Sequence, residues 1–180
     1  MHFTFTWRAR ARAWLALAAT LPGLIGLFLT GTAHAHHGWS SFDTRHAYFV
    51  SGTITQVRWG NPHSEVRLRI DSTALPAGFR SRPLPPGANE DSGKATLASA
   101  RAYAGEQKEL RIVLAGPSWM SRWGLERPLE VGEKIEVVGY LNSEEDVELR
   151  PMMFWLANGQ GVWQQLTSLP RQPEPARATR

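Results

Sequence analysis

From residue 63 to residue 70 apolar side chains alternate with charged ones, and this run follows a β-branched, aromatic segment after a very short turn. Val66, Leu68 and Ile70 fall on one face; Glu65, Arg67 and Arg69 fall on the other. A period of two is that of a half-buried strand. Residues 48–59 suit a preceding strand, being rich in Val, Ile, Thr and aromatics. Gly60-Asn61-Pro62 between them is a turn signal. That turn is far shorter than the crossover a parallel pair needs, so the two strands form an antiparallel hairpin. Gly52 interrupts the first strand and marks a bulge or a close backbone approach.

The rest of the chain continues in strands. Residues 108–115 place Leu110, Ile112 and Leu114 on one face. A short helix over 118–125 follows, with Ser118 as N-cap and Gly124 as its end. Trp119 and Trp123, four apart, share a face of it and are expected to enter the core. Residues 129–141 hold a fourth strand and 147–156 a fifth. Asn158-Gly159 is a hairpin signal leading into a short sixth strand over 162–166. The segment 72–106 is dominated by Pro, Gly, Ser and Ala. It reads as an irregular, partly mobile insertion with a short helix over 97–104. The end, 170–180, has no hydrophobic period and is expected to be disordered.

This order predicts an all-β fold with small α content. It is a five- to six-stranded, partly open Greek-key barrel of OB type, with one short helix between strands three and four. The two tryptophans would plug one end. A β-sandwich would need about seven strands.

The first 35 residues have the pattern of an export signal. Arg8, Arg10 and Arg12 precede an apolar run, and Ala33-His34-Ala35 is a small-residue cleavage site. The arginines are not adjacent, which favours the general secretion route over a twin-arginine one. Cleavage would leave residues 36–169 as one domain in the periplasm or outside the cell. The chain has 20 basic and 16 acidic side chains. Three of the arginines lie in the signal, so the remainder is nearly neutral and carries no basic stripe for nucleic acid. With no cysteine, disulfides and thiolate metal sites are excluded.

Cleavage after Ala35 would make His36 the first residue, followed by His37. An α-amine and an imidazole on one residue together chelate Cu(II), and a third nitrogen would complete the tetragonal site that Cu(II) prefers. His63, after the Asn-Pro turn, is the favoured distal ligand, with His37 and His46 as alternatives. Asp43 could be an oxygen ligand or orient a histidine. The other reading treats these histidines as structural. The barrel would then bind a small ligand or an envelope protein, with Arg67 and Arg69 on the outer face of strand two.

The blocks His36-His37, Phe42-Asp43, Gly52-Thr53-Ile54 and Trp59-Gly60-Asn61-Pro62-His63 resemble a family of small exported bacterial proteins known only as a domain of unknown function. So does the run from Leu129 through Gly132-Glu133 to Gly139. The family also has a Trp-containing helix before that run, which residues 117–124 match only loosely. The segment between strands two and three is longer here. The resemblance implies export and an OB-like barrel, and no known activity.

An enzyme is the less favoured reading. His63-Ser64 and Asp43 are hydrolase residue types, but no G-x-S-x-G elbow is present. There is no Walker A or dinucleotide fingerprint, and the acidic run 144–148 lacks the EF-hand pattern.

Overall fold

In the computed structural model the described residues are 41–145 and 147–164. Residues 1–35, read above as an export signal, His36, His37 and the end 170–180 lie outside them. The strands are β1 (Tyr48–Arg58), β2 (His63–Ser72), β3 (Arg101–Ala102), β4 (Glu109–Ala115), β5 (Lys134–Leu141), β6 (Glu148–Leu156) and β7 (Gly161–Trp163). The helices are α1 (Glu90–Ser99) and α2 (Pro117–Arg122). None of the described helices is long and apolar enough to cross a membrane.

Five strands close a barrel in the order β1-β2-β4-β6-β5 and back to β1. All of these pairs are antiparallel except β4 with β6. That parallel seam is the thinnest, with two register pairs, Arg111 opposite Glu148 and Ile112 opposite Leu149. Where β4 and β6 diverge, the buried Gln164 spans the gap. Its Oε1 accepts from Ala115 N–H at 3.1 Å, and its amide donates to the carbonyls of Val113 and Pro151 at 3.3 Å. The side chain thus does the work of a missing rung, as a buried polar group must.

The hairpin forms as its alternation requires. Val66 and Leu68 point into the barrel, and Arg67 and Arg69 point out. Gly52 is both bulge and close approach: a Cβ there would lie 2.1 Å from the Arg69 carbonyl oxygen. The turn packs on the start of α2, because a Cβ on Gly116 would meet Asn61 Oδ1 at 2.6 Å and the Pro62 carbonyl at 2.9 Å. The Asn61-Pro62 bond is cis.

Two expectations need correction. The barrel plug is not the tryptophan pair. Met120, Leu125 and Leu129 fill the core, whereas Trp119 is 51% exposed and Trp123 only packs at the margin. The helix begins one residue before the expected cap, with Gly116 as N-cap and Pro117 in the first turn, and Met120 is the residue it buries.

The segment 72–106 is also more than an irregular loop. It carries a 3-10 turn (Phe79–Ser81), α1 and β3. Asn89 caps α1 by accepting from Ser92 N–H, seven residues or more ahead of the helix expected over 97–104. The segment lies on the outer face of the barrel and builds a second core there. Phe79, Leu97 and Ala100 pack with Phe49, Val138, Met152 and Trp155. Phe79 meets Phe49 and Trp155 edge-on, with ring centroids 4.8 and 6.0 Å apart. β6 is therefore buried on both faces over Pro151–Leu156.

Candidate functional site

The described N-terminal block is tied to the β5–β6 loop. Phe42 bridges Asn142, Asp43 N–H donates to the Leu141 carbonyl, and Ser143 donates through N–H and Oγ to the Ser41 carbonyl. Asp43 is thereby held in place. Arg45 binds its carboxylate through Nε at 2.8 Å and through its own backbone N–H at 3.1 Å. The Arg45 guanidinium above all holds the Asp43 carboxyl down at about 2, against the opposing effect of partial burial. His46 Nδ1 lies 3.4 Å from Asp43 Oδ2. With Nδ1 turned to an ionised carboxylate, Nε2 is the nitrogen directed elsewhere. This is the orientation that carboxylates impose on metal-binding histidines.

The two described histidines are not neighbours along the sheet. His46 precedes β1, and His63 opens β2 after it, so the 11 residues of β1 and the turn lie between them. Among the described residues no group of three or more His, Asp or Glu side chains is placed to hold a metal ion. His36 and His37 are outside the described residues.

Arg67 and Arg69 lie on the outer face of β2, as expected, and both are exposed. Neither stands alone. Arg67 faces Glu109 at 3.7 Å and Arg69 faces Asp71 at 3.6 Å. Nearby, Arg58 pairs with Glu65 at 2.6 Å, and Arg111 with Glu145 and Glu148. The face is a ladder of compensated charges rather than a cationic surface.

Sequence reasoning missed a cleft on the outer side of the barrel. It has a volume of about 310 Å³ and lies over the Gly52 bulge, β5 and the end of β6. Arg82, from the 72–106 segment, overhangs it. That guanidinium pairs with Glu136 and stacks 4.3 Å from the Trp155 ring centroid. Only the unbroken apolar run Met152–Leu156 hinted that something covers β6 from outside.

A family model described as a family of unknown function (DUF6152) matches residues 26–77. The matched stretch takes in the N-terminal block, β1, the Asn-Pro turn and β2, so the chain is similar to that family over its first hairpin. Comparisons with curated proteins and with solved structures find no match.

Proposed function

We propose that this chain is an exported, periplasmic barrel that binds Cu(II), or another divalent metal, through its N-terminal block, without catalysing a reaction. The observation that carries this reading is the contact of His46 Nδ1 with Asp43 Oδ2 at 3.4 Å. It supplies an imidazole pre-turned by a carboxylate, which lowers the cost of ordering a ligand.

The remaining ligands would be His36, through its α-amine and ring, and His37. His36 stands five residues before Ser41, whose carbonyl is fixed by Ser143. Because the Asp43 carboxylate turns its ring, His46 is put ahead of His63 as a further nitrogen ligand. The imidazoles and the amine must all be unprotonated to bind, so affinity rises with pH.

Isothermal titration of the chain cut to begin at His36 tests this reading. His46→Ala should weaken Cu(II) binding more than tenfold, while His63→Ala should leave it close to the parent value. Equal and negligible effects of both would remove His46 as a ligand.

A second reading keeps the histidines structural and gives the barrel a small ligand or envelope protein on Arg67 and Arg69. Its support is their exposure on β2. The acidic partner of each argues against a strongly anionic ligand. Charge reversal at both positions should abolish capture of such a partner from envelope extract; unchanged capture would discard the face.

A further inference from the structure

The outer cleft is independent of the N-terminal block, and its lining points to a different ligand. Ser51 of β1, Glu136 of β5 and Trp155 of β6 stand opposite one another across three strands and form one row of the sheet. Thr53 opposite Lys134 belongs to the next outward row. Thr53 Oγ1 donates to Asp71 Oδ2 at 2.7 Å, which fixes that carboxylate at the cleft's side. Leu156 and Ala157 line the apolar part.

The charges sort themselves by pairing. Arg82 and Glu136 neutralise each other, and Arg82 is held further by its stacking on Trp155. Asp71 shares its charge with the exposed Arg69 at 3.6 Å and keeps an edge on the cleft, and Lys134 enters no ion pair among the described residues. One acid and one base thus line the same small cavity beside an apolar wall. A simple anion would satisfy Lys134 but sit beside carboxylates, and a simple cation would do the reverse. A molecule with both charges meets both groups. At about 310 Å³ the cleft is at the lower end of small-molecule sites, which limits the occupant to a few tens of atoms.

We propose that this cleft binds a small zwitterion, a free amino acid or dipeptide. Its carboxylate pairs with Lys134, its ammonium pairs with Asp71, and its side chain lies on the Trp155–Ala157 wall.

The test is an NMR titration of the full chain near neutral pH with alanyl-leucine, its N-acetyl form and its C-terminal amide. The free dipeptide should give saturable shifts at residues 51–52 and 134–136 and at the Trp155 indole. Each cap should weaken binding about tenfold or more, the loss typical of one charge-assisted contact. Lys134→Ala, an exposed substitution that leaves the core intact, should weaken the free dipeptide by the same factor but not change the amide. Absence of saturable shifts at millimolar dipeptide, or equal binding of free and capped forms, would overturn the proposal. Shifts confined to the β2–β4 face would overturn it as well.

Discussion

His46 Nδ1 lies 3.4 Å from Asp43 Oδ2, and the same carboxylate is gripped by the Arg45 side chain and backbone. A three-residue spacing thus fixes a histidine ring next to the first strand. If that ring serves a metal, its orienting carboxylate should matter nearly as much as a ligand. Asp43→Asn should weaken Cu(II) binding about 10–100-fold, the usual effect of losing such a partner. Titration calorimetry on the variant, with circular dichroism as a check on folding, measures it.

The second core makes the 72–106 segment a structural part of the barrel. Phe79 is 3% exposed and touches Phe49 and Trp155. Phe79→Ala should cost about 3–5 kcal/mol in urea unfolding. It should also open residues 72–106 to limited proteolysis. A loss below 1 kcal/mol would mean that the segment does not depend on this contact.

Gln164 replaces a rung between β4 and β6, bonding Ala115, Val113 and Pro151. Gln164→Leu fills similar space but leaves those backbone groups buried and unmatched. At about 1–3 kcal/mol for an unsatisfied buried group, it should be more damaging than its volume change suggests. Thermal unfolding of the variant against the parent tests this, and an unchanged midpoint would show that water replaces the amide.

Acid should weaken the fold in a defined window. Asp43 sits at about 2 in the fold against 3.8 for the free side chain, chiefly through its hydrogen bond with Arg45. Its stabilisation is complete above about pH 3.8 and disappears as pH falls through about 2. Glu133, held low first by Arg127 and also by the Glu130 N–H, acts in the same direction. Both are partly solvated, so the combined effect should stay near 1 kcal/mol. Asp43→Asn should flatten the lower part of the stability–pH curve; an unchanged curve would place the acid sensitivity elsewhere.

The first hairpin was legible because period-two patterning is local, and Gly52 and the Asn-Pro turn carry their own signals. Asn158-Gly159 likewise marked the β6–β7 turn, with Gly159 at a φ of 86°. The insertion was not legible. α1 has a narrow apolar face, burying Gly93, Thr96 and Leu97, so no strong helical period shows. Its partners are the 3-10 turn before it and β5, more than 30 positions away, where Tyr140 meets Thr96. Trp119 misled because spacing gives the shared face of a helix but not which face turns inward. Arg67 and Arg69 were correctly placed outside, yet the Glu109 that meets Arg67 comes from another strand. His63 was favoured over His46 as distal ligand, and the sequence did not show that β1 and the turn separate the two.

Metal capture by the N-terminal block can be read out by comparing two chains. One begins at His36, and the other carries a single extra residue before it. Each is titrated with Cu(II) and followed by EPR. Tight one-to-one binding with a nitrogen-rich tetragonal spectrum is expected in the first, lost or greatly weakened in the second. Weak binding in both, or equal binding in both, would contradict it.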